Sequence, residues 1–376
     1  MMDVANTKNV IIVGGGPAGS TAGYLLKKKY NIDVLLIEKN CFPREKLCGG
    51  LITDKTVKLL EELYKEPVTE LVKNGVINYQ TNKYKVFYRN YLLHDGMTEE
   101  PFFFVNRSIY DLFLLEKAKK VGVAVIEGKP VKTYDFINNR VFLDKNQSFR
   151  TKYLIGADGV NSVIRTQLLK NNFDKNKWKK NLSTAFEIFI DRSIELEDYN
   201  YPVIYFGYLK FGYCWIFPNT DRIICGIGGL NVKNHEIAAN FKSFLSNFAF
   251  KEKNVSHIKS ALIPTGGFYH IPAAGNVALI GDAGGFVNPF TGEGIYYAHK
   301  SGEIVAEAVN ESLNNAKCFR ETYLQLLKAR IVPEFNRAKK VRNVFYRLTN
   351  TVFYLPMKIL LQRTDRKIDQ FMHGVQ

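Results

Sequence analysis

The chain is poor in cysteine. It has five in 376 residues, at positions 41, 48, 214, 225 and 318, an odd number with no Cys-x-x-Cys pair. That excludes a disulfide scaffold and a structural zinc site, although spacing alone permits a Cys41–Cys48 redox pair. The six histidines (94, 235, 257, 270, 299 and 373) show no metal-like spacing and read as bystanders. No stretch approaches the roughly 20 apolar residues that span a bilayer, and no basic segment leads into a cleavable apolar one at the N-terminus. A cytoplasmic protein, able to lie peripherally on the cytoplasmic membrane face, is expected. No zinc finger, RNA-recognition signature or long Lys/Arg block is present, which argues against nucleic acid as a partner. Acidic residues are also scarce, 36 against 52 Lys plus Arg, for a net charge of +16. Without nucleic acid, that excess points to an anionic membrane surface or a diphosphate substrate.

Aromatics are plentiful, 27 Phe and 21 Tyr, which serve either a rich core or a cavity for a large apolar ligand. The most informative stretch lies near the N-terminus. The β-branched run from Asn9 to Val13 is followed by Gly14-Gly15-Gly16-Pro17-Ala18-Gly19, a helical pattern to about Lys29, and a second apolar run, "IDVLLIE", ending at Glu38. The order is strand, Gly-x-Gly-x-x-Gly, helix, strand, acid. Gly14 permits the tight turn, Gly16 lets the backbone approach a pyrophosphate, and Gly19 lets helix and strand pack closely. Glu38 stands where a carboxylate can accept ribose hydroxyls. This is a dinucleotide site that favours an unphosphorylated ribose; alone it does not separate FAD from NAD.

Two distant stretches favour FAD. "YLIGADGVNSVIR" places a strand before Asp158-Gly159, and "NVALIGDAGGFVNPFTGEGIYYA" places another before Gly281-Asp282, with Gly292 and Gly294 at a helix start. Asp282 can accept a ribityl hydroxyl, and the Gly292–Gly294 turn can offer N–H groups to an extended anionic flavin. Each aspartate could alternatively cap a helix. With these three motifs the chain resembles the FAD-dependent oxidoreductases of the para-hydroxybenzoate hydroxylase-like superfamily over about residues 8–310. The resemblance implies that Ala18, Gly19 and Glu38 contact the adenosine half of FAD, and that Asp282, Gly294 and Ile295 contact the ribityl and ring half. It also implies that Arg107 lies near the FAD, that Val131 holds the adenine through its backbone, and that Asp158 belongs to the site. Nothing resembles a second nucleotide-binding fingerprint.

The stretch after the second strand, "FPREKLCGGL", is similar in its Cys48-Gly49-Gly50 to the geranylgeranyl reductase family, and so is Tyr213-Cys214-Trp215-Ile216-Phe217-Pro218. That resemblance implies a flavin-dependent reductase of isoprenoid double bonds. Cys48 would lie near the flavin with Gly49 and Gly50, shaping substrate approach or assisting proton delivery, or would be a small packing residue. Tyr213, Trp215 and Phe217 alternate along a strand and would share one face, either an apolar wall positioning a prenyl chain or an ordinary aromatic core. Catalytic roles are expected for Cys48, Tyr213 and Trp215. The electron donor would be NAD(P)H or a ferredoxin-like protein.

The fold class expected is α/β: a Rossmann-like FAD-binding domain (1–75, 105–165 and 265–320), an inserted antiparallel-sheet substrate domain (76–104 and 166–264) and C-terminal helices (321–376). In that tail, apolar positions 335, 338, 341, 345, 348 and 352 interleave with Arg337, Lys340, Arg342 and Arg347. The pattern fits a helix packed on the substrate domain or a basic membrane-facing element, kinked or ended at Pro356. Two further readings stand beside the reductase. One is a flavin monooxygenase or halogenase acting on an aromatic substrate. Phe42-Pro43-Arg44 is similar to halogenases, but Tyr213 stands where the first Trp of their Trp-x-Trp would be. The other is a non-catalytic flavin redox carrier at a membrane.

Overall fold

The computed structural model describes residues 7–143, 147–168, 178–192, 199–248, 257–267 and 272–351. The chain is mixed α/β and forms two compact units. The first comprises Met1–Glu45, Tyr110–Trp178 and Gly267–Arg337; the second comprises Lys46–Ile109, Lys179–Gly266 and Ala338–Gln376. Residues 46–75 therefore group with the second unit and helix Phe319–Arg330 with the first.

The first unit is built on a sheet in the order Ala273–Ala274, Val277–Leu279, Ser148–Gly156, Thr7–Val13, Val34–Ile37, Ala124–Ile126. All neighbours from Val277–Leu279 onward are parallel. Parallel strands covered on both faces need continuous apolar runs. Val10–Val13 and Val34–Ile37 are buried at every position. An antiparallel hairpin, Thr133–Asp135 with Arg140–Phe142, attaches to the start of Ser148–Gly156.

The second unit holds an eight-stranded sheet in the order Lys259–Ile263, Ser183–Asp191, Arg222–Leu230, Gly212–Pro218, Val203–Phe206, Tyr79–Tyr88, Tyr91–Phe104, Leu51–Ile52. The expected sheet was antiparallel. It is so except for one parallel pair, Val203–Phe206 with Tyr79–Tyr88. Helix Asn234–Leu245 covers one face, where Ile188, Ile190, Ile216, Ile227, Ile237, Phe241 and Phe244 form the core.

The described residues end in a helical segment, Ile295–Asn314, Phe319–Arg330 and Val332–Thr351. In the last helix Phe335 and Ala338 are buried but Val341, Val344 and Leu348 are exposed. Arg342 turns inward and donates to Thr265 O at 3.0 Å, leaving the basic face that spacing suggested. Position 352 and Pro356 lie outside the described residues.

Candidate functional site

In the first unit, strand Thr7–Val13 ends at Gly14, whose φ of 108° lies in the region that favours glycine. A Cβ on Gly14 would sit 2.3 Å from Ala157 O, and one on Gly19 would sit 1.9 Å from Gly14 O. The first motif is thus pressed onto the backbone that ends the Ser148–Gly156 strand. Gly16 is different: its missing Cβ would meet only Arg44 Nη2, at 3.5 Å, among the described residues. Bare backbone there faces open space beside a cation. Arg44 is held by an ion pair of 3.1 Å to the fully buried Asp111.

Two helices begin at this place without a side-chain cap and without an acid in the first turn: Pro17–Lys28 after Gly16, and Ile295–Asn314 after Gly294. Their first N–H groups and the positive ends of their dipoles are left for an anion. By contrast, Asp54–Tyr64 and Phe319–Arg330 carry Asp54 and Glu321 in their first turns. The two uncapped helices are locked together. A Cβ on Gly302 would lie 2.6 Å from Ala18 O, and buried His299 bridges Thr21 Oγ1 and Tyr110 Oη at 2.7 Å each.

Buried Glu38 accepts hydrogen bonds from Gly15 N at 2.7 Å and Asn40 N at 3.0 Å. Each of its oxygens keeps a lone pair for a ribose hydroxyl. Asp158 behaves as the capping alternative anticipates: its carboxylate accepts from Ser162 Oγ at 2.5 Å, Val163 N at 2.7 Å and Ile164 N at 3.2 Å. Arg165 ties that second motif to the third, donating to Val160 O at 2.6 Å and Ala283 O at 3.0 Å, with its guanidinium 3.9 Å from the Trp178 ring centre. Burial lowers the Arg165 pKa to about 10, against the opposing pull of Asp158 and Asp282. Asp282 is half-buried in the turn Gly281–Ala283, and its Oδ1 lies 3.7 Å from where a Gly294 Cβ would stand. A side chain at 294 would close that space. Gly292 has φ 76°, and Ile295 is the buried first residue of its helix. Val131 is buried among apolar residues that include Val13 and Ile37.

These residues fit FAD. The open backbone at Gly16, two unneutralised helix N-termini and Arg44 suit a pyrophosphate. Glu38 suits a ribose, and Asp282 beside bare Gly294 suits a ribityl chain. Arg44 was not singled out as a cofactor residue from sequence; its signal was the cation of the Phe42-Pro43-Arg44 stretch in the segment that follows the second strand of the fingerprint.

The second unit holds the remaining candidates. Arg107 opens helix Arg107–Lys120. Along strand Gly212–Pro218, Cys214 and Ile216 enter the core against Phe241 and Phe244. Tyr213, Trp215 and Phe217 share the other face, with ring centres 5.7 and 6.2 Å apart in succession. The indole lies flat because nothing grows beneath it: a Cβ on Gly226 would be 2.4 Å from its ring and one on Gly228 3.2 Å. The Cys48-Gly49-Gly50 turn presses onto the same rings. A Cβ on Gly49 would stand 2.8 Å from Phe217 Cδ2 and 3.5 Å from Trp215 Nε1, and one on Gly50 (φ 73°) would stand 2.4 Å from Val105 O. Cys48 is half-buried, and its Sγ accepts from Gly50 N at 3.4 Å. Burial pushes the Tyr213 phenol up, with Cys48 and Glu187 nearby adding to the shift.

Sequence reasoning missed Glu187. It sits mid-strand in Ser183–Asp191 and pairs with Gly226, which pairs in turn with Trp215, so all three share one face. It is 2% exposed. Burial raises its pKa from 4.5 to about 7, held back by the Lys46 ammonium and the Trp215 indole. The indole N–H is close enough to favour the carboxylate but not aligned for a hydrogen bond: Glu187 Oε2 and Trp215 Nε1 both lack a partner among the described residues. The available signal was an acid between apolar residues, Phe186 and Ile188, in the interior of the strand "STAFEIFID".

An FAD binding domain family model matches residues 7–188. The chain is 30% identical over 368 residues to an uncharacterized protein of Methanosarcina barkeri, covering 95% of this chain and 90% of that one. It is 28% identical over 348 residues to a protein of Methanococcus vannielii named digeranylgeranylglycerophospholipid reductase, covering 88% of this chain and 83% of that one. Among solved structures, a geranylgeranyl bacteriochlorophyll reductase-like protein of Thermoplasma acidophilum superposes with a TM-score of 0.78 at 21% identity, covering 91% of this chain and 88% of that one.

Proposed function

This chain belongs to the geranylgeranyl reductase family of FAD-dependent oxidoreductases, and we propose on that premise that it hydrogenates carbon–carbon double bonds of a geranylgeranyl-type lipid or prenylated metabolite. The observation that carries the reading is the seating of Cys48-Gly49-Gly50 on Trp215 and Phe217. The two stretches that resemble the family are remote in sequence and form one surface in the second unit.

When bound and reduced, FAD supplies a hydride. Gly16, Glu38, Arg44, Asp282 and the N-termini at Gly16 and Gly294 would hold it. The chain's other residues prepare the alkene. Tyr213, Trp215 and Phe217 offer rings on which an isoprenoid can lie, and they exclude water, which strengthens any polarising group nearby. Gly49 leaves room for those rings, and Cys48 shapes the approach of the chain. The electron donor would be NAD(P)H or a ferredoxin-like protein. No helix among the described residues is long and apolar enough to cross a membrane. Exposed Val341, Val344 and Leu348 beside exposed Arg337, Lys340 and Arg347 support docking of the last helix on an anionic membrane from which the prenyl chain is drawn.

The test is anaerobic. FAD-loaded protein is reduced with dithionite and incubated with geranylgeranyl lipids, prenyl diphosphates and menaquinone. Mass spectrometry should find a gain of two hydrogens per double bond. No gain with any of them, together with oxygen or halogen entering an aromatic substrate on admission of air, would replace the reductase by a monooxygenase or halogenase.

A further inference from the structure

Adding hydrogen across an unactivated alkene needs a proton as well as a hydride, and the proton donor must hold its proton at working pH in a dry place. The aromatic face of the second unit has few groups able to do so. Tyr213 is on it, but burial makes its phenol a weaker acid still. Cys225 is pushed well up by burial, as is Cys214, and both belong to the core on the opposite side of the sheet.

We propose that Glu187 is the catalytic acid of this unit, giving its carboxyl proton to an alkene carbon of the isoprenoid laid on Tyr213, Trp215 and Phe217. The inference rests on the function proposed above. Three features of the geometry carry it. Glu187 lies in the same cross-strand row as Trp215, across the bare backbone of Gly226, where an added Cβ would come 2.9 Å from Glu187 Cγ and 2.4 Å from the indole. The carboxyl is almost wholly buried, yet Oε2 has no hydrogen-bond partner among the described residues. Buried carboxyl oxygens are normally satisfied, and one that is not has desolvation without structural compensation. Among the described residues no cation quenches it by direct pairing. Lys259, its partner on the adjacent strand, is exposed and has its ammonium over the Phe189 ring, 5.0 Å from the centre.

The groups facing Glu187 are consistent with a proton held near neutrality. From the 46–50 segment comes Lys46; from Gly212–Pro218, Tyr213 and Trp215; from Arg222–Leu230, glycines 226 and 228 with Cys225 behind; from Lys259–Ile263, Lys259. Burial dominates and raises the pKa to about 7, while Lys46 and the indole keep it from rising further. In the step itself, Glu187 breaks its O–H bond. One alkene carbon forms a C–H bond with that proton using the π pair, and the other carbon receives the hydride supplied by reduced FAD. Glu187 is left as a carboxylate and recovers its proton from solvent; the two electrons of the hydride would be made good by the external donor, NAD(P)H or a ferredoxin-like protein.

The test has two readouts. In flavin-free protein carrying Trp178→Phe, so that Trp215 is the sole tryptophan, emission is followed against pH. A titration step near neutrality is expected, and it should vanish with Glu187→Gln. In FAD-loaded, dithionite-reduced protein, Glu187→Gln should lower the single-turnover rate by about 100-fold or more. The wild-type rate should fall as pH rises through the step, the variant's residual rate should be flat, and Glu187→Asp should restore part of the rate and the pH dependence. Flavin absorbance and melting establish that each variant is folded, and Glu187→Asp carries the comparison if the Gln variant does not fold. A Gln variant that reduces at the wild-type rate, or an emission step that survives the substitution, overturns the proposal while leaving the reductase standing. A wild type that titrates normally but reduces no isoprenoid brings down the functional reading, and the acid role with it.

Discussion

Replacing Glu187 by Gln should change the stability of the protein relative to the wild type by an amount that depends on pH in a calculable way. The folded chain holds the Glu187 proton more tightly than the unfolded chain, because burial raises its pKa from the ordinary 4.5 to about 7. The favourable contribution is therefore fully present below pH 4.5, is lost progressively as pH rises, and is gone above about 7. The difference corresponds to about 3 kcal/mol. Glutamine keeps the shape and cannot ionise, so the variant escapes that loss. Relative to the wild type it should gain about 3 kcal/mol between pH 4.5 and pH 8, a relative rise of several degrees in Tm. Any constant cost of burying the amide shifts both ends equally and leaves the gain unchanged. Melting both proteins across this range, in one buffer series and with FAD saturating, measures it. Parallel curves, with the same difference at pH 5 and pH 8, would show that Glu187 titrates alike folded and unfolded, refuting both the burial argument and the neutral acid built on it.

Other substitutions separate the cradle from the wall. Gly19→Ala drives a Cβ to within 1.9 Å of Gly14 O and should give protein without bound flavin, checked by its visible absorbance. Gly49→Ala forces a Cβ to 2.8 Å from Phe217 Cδ2. It should cost about 1–3 kcal/mol and depress alkene reduction while FAD stays bound, read by melting and by product mass. Arg165→Ala removes the donors to Val160 O and Ala283 O and the stacking on Trp178. It should destabilise the first unit by about 3 kcal/mol or more and weaken FAD binding, measured by flavin release on urea titration. Val344→Glu places a carboxylate on the exposed stripe of the last helix and should reduce co-sedimentation with anionic vesicles, with reduction of a short soluble prenyl substrate unaffected.

What could be read from sequence was local and directional. The Gly14–Gly19 fingerprint needs only a strand, a turn and a helix in succession, so its parts meet wherever that order folds. The fully apolar Val34–Ile37 announces a strand covered on both faces. Period-two alternation placed Tyr213, Trp215 and Phe217 on one side, because successive residues of any strand oppose each other. Residues whose meaning depends on a distant partner were not legible. Asp158 reads in sequence as a cofactor residue or a helix cap, and only the fold shows its carboxylate accepting from Val163 N and Ile164 N. Arg342 looks like part of a basic stripe until it reaches Thr265. Glu187 is an acid between apolar neighbours in mid-strand, and only the antiparallel register that sets it across Gly226 from Trp215 makes it a buried acid on the aromatic face. Sequence determined which segments could hold a dinucleotide, because backbone chemistry at glycines acts over a few residues. Tertiary structure decided which side chains share a dry surface, because burial and strand register are properties of the packed sheet.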